Sequence, residues 1–93
     1  MTSEQVLATI EIYRNMFTEF DVEKVDYPDD LILEPADIGM YHCHNMLDKM
    51  VEFVHEGRMD KANRWLGFVQ GVLWANGIYA LVDFKEHNRG QSE

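Results

Sequence analysis

The sequence predicts an all-α fold, a three-helix bundle with a short C-terminal helix, and three observations carry that prediction. Apolar residues recur every three or four positions in three separate stretches. Pro28, Pro35, Gly57 and Gly77 fall between those stretches, where they end or redirect helices. No stretch has the turn-bounded alternation of apolar and polar residues that marks a β-hairpin.

The first helix is expected over about 3–20. Thr2 and Gln5 have capping-box spacing at its start. Val6, Ile10, Tyr13, Phe17 and Phe20 then share one face. Residues 21–35 form a long acidic connector: Asp21, Glu23, Asp26, Asp29, Asp30 and Glu34 stand against Lys24 alone. Two prolines keep it from being helical, and Leu31, Ile32 and Leu33 are the residues expected to pin it to the core. The second helix, about 36–56, takes Pro35 in its first turn and carries Met40, Cys43, Leu47, Met50 and Val54 as a stripe widened by Tyr41, Met46 and Phe53. Gly57 ends it.

The third helix, about 60–76, opens on Asp60 as a cap and buries Ala62, Leu66, Val69, Leu73 and Asn76. The short link before it makes the second and third helices antiparallel neighbours. Asn76-Gly77 closes it through a left-handed cap with Ile78 folding back. A last helix, about 81–89, is expected to turn Leu81, Val82 and Phe84 inward.

The third helix is the element around which the rest must pack. Between Trp65 and Ala75 only Gln70 is polar, and a helix apolar all round needs cover on more than one side. Gly67, Gly71 and Ala75, four apart, make a strip almost free of side chain. Each interior glycine costs roughly 1 kcal/mol against alanine, so close approach of the first helix, the second helix or a second copy is expected to offset it. Phe68 and Trp74 lie off the inward stripe and need either the connector or a partner to cover them. Gln70, if buried, needs a partner, with His44 or Asn45 of the second helix as candidates.

Ninety-three residues make one domain, 1–93. Eight Lys and Arg against 17 Asp and Glu give a net charge of −9, which argues against a basic surface for nucleic acid or anionic membrane. One cysteine excludes an intrachain disulfide framework. No secretory signal is evident, and the longest apolar block is too short to span a bilayer. A cytoplasmic protein is expected.

Several chemistries lack their residues. Ser3 and Ser92 sit near the termini, away from any base that could activate them. His42 and His44 point about 200° apart on a helix and His55 is three turns beyond His44, so no metal set forms. Cys43 lies on the inward stripe. The connector lacks the ligand spacing and central glycine of a calcium loop, and no phosphate-cradling loop follows a strand. The expectation is no enzyme, no metal and no cofactor.

Glu56-Gly57-Arg58, the run Lys61-Ala62-Asn63-Arg64-Trp65-Leu66-Gly67-Phe68-Val69-Gln70-Gly71-Val72-Leu73-Trp74, and Phe84-Lys85-Glu86-His87-Asn88-Arg89 resemble a group of small proteins of tailed bacteriophages. The resemblance covers about 57–89. It implies an intracellular phage accessory protein that binds and inhibits or modulates a host protein, and it transfers no catalytic residue.

The expected function is therefore stoichiometric binding by an acidic homo-oligomer, a dimer being favoured. Gly67, Phe68, Gly71, Trp74 and Ala75 form the candidate seam. Asp21, Glu23, Asp26, Asp29, Asp30 and Glu34 form the candidate partner face, with carboxylates able to mimic nucleic acid before a basic cleft. The alternatives are an oligomer that sequesters a nucleotide through Arg58, Arg64, Gln70 and Arg89, and a structural virion component.

Overall fold

The computed structural model describes residues 1–35 and 38–89. They form four helices and no strand: α1 (Ser3–Glu19), α2 (Gly39–His55), α3 (Met59–Ala75) and α4 (Leu81–Arg89). Among the described residues no helix is long and apolar enough to cross a membrane.

Local chemistry sets the helix ends. At the start of α1 the Thr2 hydroxyl accepts the Gln5 amide at 3.1 Å, and the Gln5 side chain accepts the Thr2 amide at 2.8 Å, so two of the four orphan donors are satisfied reciprocally. The first three helices end the same way. A residue with positive φ follows each: Asp21 at 56°, Gly57 at 77° and Gly77 at 74°. The next amide reaches back to close the turn, Val22 to the Phe17 carbonyl, Arg58 to Phe53 and Ile78 to Leu73. Aspartate tolerates this conformation better than most residues, which is how the chain turns after α1 without glycine. The start of α3 differs from expectation. The helix begins at Met59, the Arg58 before it offers no side-chain cap, and Asp60 lies inside the first turn, where its charge still favours the helix dipole.

The core is shared by the three long helices. Val6, Ile10, Tyr13 and Phe17 of α1, Cys43, Leu47 and Met50 of α2, and Leu66, Val69 and Leu73 of α3 are sealed from solvent. Each large apolar side chain stabilises by about 1.5–3 kcal/mol on burial. Gly39 approaches Val72, and Phe53 meets Trp65 edge-on at 4.9 Å, so α2 and α3 run antiparallel. From α4 only Phe84 is buried.

Three expected contacts are absent. Phe20 caps α1 and is 68% exposed. Leu81 and Val82 open α4 facing solvent, because that helix is attached through its later residues. In the connector, Ile32 is 88% exposed and Leu31 about half exposed, leaving only Leu33 tucked in, its Cδ1 3.5 Å from where a Cβ on Gly39 would lie. Other residues pin the segment. The Val25 amide bonds the Tyr41 carbonyl at 3.1 Å, the Tyr27 amide bonds His42 Nδ1 at 3.1 Å, and His44 Nδ1–H bonds the Val22 carbonyl at 2.7 Å. Ala36 and Asp37, where the second helix was expected to begin, lie outside the described residues.

Candidate interaction surfaces

The outward arc of α3 is an apolar feature that the described residues leave without cover. Its inward arc is fully used by Ala62, Leu66, Val69 and Leu73. On the outward arc Phe68 is 56% exposed and Trp74 54% exposed, and Gly67, Gly71 and Ala75 are exposed between them. Among the described residues, a Cβ built on Gly67 or Gly71 would meet nothing beyond its own helix within 4 Å. Neither α1 nor α2 therefore supplies the close approach that would offset the two glycines.

Toward the connector this arc passes into a groove of about 470 Å³. Tyr27, Leu31 and Leu33 form one wall, Gly39 and His42 of α2 the end, and Phe68, Val72 and Ala75 of α3 the floor. Tyr27 stacks on His42 at 6.1 Å between ring centres, joining the wall to α2. A smaller trough, lined by Met46 and Trp65, shares Asp29, His42 and Phe68 with the groove and so adjoins it. The sequence signal for the groove was the presence of Tyr27, Leu31 and Leu33 in an otherwise acidic segment. Such residues need a surface to lie along, but nothing local says which.

The acidic residues of the connector are all exposed. Asp21 occupies the turn after α1, Asp26 stands 3.9 Å from both His42 and Lys49, and Asp29 lines both the groove and the trough. Lys24 is drawn away to Asp48 at 2.9 Å, where Arg14 also binds. These two cations hold the Asp48 carboxyl below its ordinary range, the Arg14 bond being the larger effect.

The four candidate anion contacts do not meet in one place. Arg58 and Arg64 line a shallow cleft of about 380 Å³ with Lys61 at the start of α3. Gln70 is instead part of a polar node joining three helices. Its amide donates to the Tyr13 hydroxyl at 3.0 Å and to Asn88 Oδ1 at 2.7 Å, so its partners come from α1 and α4 and not from His44 or Asn45 of α2. The Tyr13 hydroxyl meets His87 Nδ1 at 2.9 Å. Since the phenol accepts from Gln70, its own hydrogen is free to point at Nδ1, which places the ring proton of neutral His87 on Nε2. The Thr9 hydroxyl shares its one hydrogen between the Gln5 carbonyl at 2.8 Å and the His87 carbonyl at 3.0 Å, and Gln5 donates to the Arg89 carbonyl at 3.0 Å. Sequence reasoning missed this node because its members lie up to 84 positions apart.

Burial pushes the Tyr13 phenol and the Cys43 thiol each up to about 12 and holds His87 below its ordinary value. A neutral, buried thiol is a poor nucleophile, and the node groups spend their hydrogen bonds on one another. His44 is buried against Phe17 with ring centres 5.1 Å apart, and burial likewise lowers its pKa. Among the described residues no three His, Cys, Asp or Glu side chains are grouped as a metal site would need. No protein-family model, curated protein or solved structure matches this chain.

Proposed function

We propose that this chain is a non-enzymatic binding protein that self-associates through the outward arc of α3 and acts on another protein by stoichiometric binding. The observation that carries this reading is the open apolar arc itself. Phe68 and Trp74 stand more than half exposed on either side of two glycines that no described residue of another element covers. Aromatic side chains of this kind are the usual anchors of interfaces, and uncovered apolar faces mark them.

The arc is symmetric about Gly71. Phe68 and Trp74 lie three positions to either side of it, and Gly67 and Ala75 four. Two copies crossing antiparallel at Gly71 would set Phe68 of each beside Trp74 of the other, the self-complementary pairing that a two-fold interface requires. The scaffold in this reading is a bundle of three long helices with a short fourth, and the acidic connector is a strap presented to the partner. Its setting is that of a phage accessory protein inhibiting or modulating a host protein in the host cytoplasm. Light scattering across a dilution series tests the seam: a dimer that Trp74→Ala converts to monomer is expected, and a wild-type monomer at high micromolar concentration refutes it.

A second reading rests on the cleft of Arg58, Lys61 and Arg64, three cations together on an acidic chain. It suits a phosphate-bearing small molecule such as a nucleotide. A thermal-shift series with nucleotides that raises no unfolding midpoint removes it.

A further inference from the structure

The groove between the connector and α3 has the composition of a receptor for one class of partner. Its floor and wall are apolar, with Phe68, Val72 and Leu31 facing the same space, and no lysine or arginine is among the residues that line it. Its rim is anionic. Asp29 lines the groove, Asp30 follows it in the chain, and Asp26 lines the adjoining trough. Asp29 and Asp30 make no ion pair with a described residue, and Lys49 near Asp26 is the single Lys or Arg lining the trough. The chain as a whole carries −9, so its field favours the approach of a cation.

We propose that this groove binds a basic amphipathic helix of a partner protein, apolar side chains down and lysines or arginines out to the aspartates. The proposal rests on the binding-protein reading and specifies its partner. Size agrees with it. The α3 residues lining groove and trough run from Trp65 to Ala75, about 15 Å at roughly 1.5 Å per residue, or nearly three turns of a docked helix. Such a helix seats residues at i, i+3 or i+4 and i+7, and the groove offers about 470 Å³ for them. Charge chooses the partner: the same apolar floor would admit any greasy helix, but an acidic one would face the rim carboxylates unpaired. Phe68 and Ala75 belong to both the groove and the proposed seam, whereas Leu31 and Asp29 line the groove alone, Asp30 adjoins it in the chain, and Trp74 belongs to the seam alone. That division allows the two to be tested separately.

The experiment uses a fluorescein-labelled peptide of about 14 residues, built from leucine and lysine in helical amphipathic order and read by anisotropy against the full chain. Its controls are the same peptide with glutamate for lysine and a scrambled order that destroys the apolar face. Saturable binding of the lysine peptide alone is expected. Affinity should fall about tenfold between roughly 50 and 200 mM salt, as exposed charges are screened. Asp29→Lys with Asp30→Lys should weaken binding about tenfold or more, and Leu31→Ser severalfold. All three positions are exposed, so the fold should tolerate these changes, which circular dichroism checks. At concentrations where the wild-type chain is monomeric, Trp74→Ala should leave peptide affinity unchanged. Absence of saturable binding overturns the proposal, as does equal binding of the glutamate or scrambled peptide. If Trp74→Ala removes binding while the groove variants keep it, the site is the seam. If the groove variants shift the monomer–dimer balance, the groove's occupant is a second copy. Either result overturns the groove assignment while leaving the self-association reading standing.

Discussion

On one side of α3, Leu66, Val69 and Leu73 are sealed against the rest of the chain. On the other, Phe68 and Trp74 keep more than half their surface in solvent, with two bare glycines between them. The two sides are similarly apolar in composition, and only their surroundings differ. The inward arc meets α1 and α2, each with its own apolar stripe. Among the described residues, the outward arc meets nothing but the edge of the connector. Hydrophobic content therefore measures demand for cover, while topology decides which part of that demand a single chain meets. What remains is apolar surface that the described residues leave open.

The largest effect should come from breaking the inward arc. Leu73→Ala removes a side chain with no exposed surface, and such truncations cost about 2–5 kcal/mol. Urea unfolding of Leu73→Ala and of Trp74→Ala, both at low micromolar concentration, should separate the arcs: the first loses much of its stability and the second changes by about 0.5 kcal/mol or less, as surface sites do. Similar losses in both would mean that Trp74 is packed within the chain.

The next effect tests the boundary between the arcs, where Gln70 ties α3 to Tyr13 and Asn88. Gln70→Leu keeps the size but leaves the Tyr13 hydroxyl and the Asn88 carboxamide short of a partner, at about 1–3 kcal/mol for unmade buried bonds. Because the node holds α4 through its later turns, amide exchange in α4 should accelerate more than in α2. Uniform acceleration in both helices would show that the node is not what fastens α4.

Much of this was legible in sequence. The stripes and punctuation define helices close to those observed, and the inward arc of α3 follows from spacing alone. The side-chain-poor strip and its flanking aromatics were also legible, because apolar residues off a core stripe stand out. Other features were not, for physical reasons. Leu81 and Val82 looked like core residues because a helix as short as α4 has too few turns to fix which face is inward. The connector's path is set by bonds from Val25 and Tyr27 to the first turns of α2, and these depend on chain geometry, not periodicity. The groove exists only once that path is known. Gln70 was recognised as needing a partner, yet Asn88 could be found only after α4 was placed.

Acid should weaken the intrachain packing in a defined window. His44 and His87 both have folded-state values below the ordinary 6.5, mainly through burial. Lys24 and Arg14 further disfavour charge on His44 while Asp48 favours it, and Asp83 and Glu86 favour charge on His87. The unfolded chain therefore takes up protons first. The stability contributed by the neutral rings is present above about 6.5 and is lost as pH falls from there through the lowered folded values. Asp48, held below 3.8 by its cations, keeps its contribution until more acid conditions. The thermal midpoint should fall between about pH 7 and pH 5, and His44→Gln with His87→Gln should flatten that slope. A wild-type midpoint that does not move over this range contradicts the assignment.

The smallest change is the most discriminating between the arcs. Gly71→Ala adds one methyl to the outward strip, where it meets nothing beyond its own helix. In an isolated chain the only consequence is better helix propensity, about 0.5–1 kcal/mol of added stability, or a midpoint higher by several degrees at roughly 4–8 °C per kcal/mol. In an assembly crossing at Gly71 the same methyl stands where the second backbone must approach. The variant should then be more stable than wild type when dilute and less associated when concentrated. Opposite signs from one substitution are hard to obtain from any general effect on folding. Thermal unfolding at low micromolar concentration, paired with sedimentation across a concentration series, reads both. A gain in stability with unchanged association would place the contact between copies elsewhere than the glycine strip. A loss of stability in the dilute chain would mean that the strip is covered from within, so that the two arcs of α3 were never different.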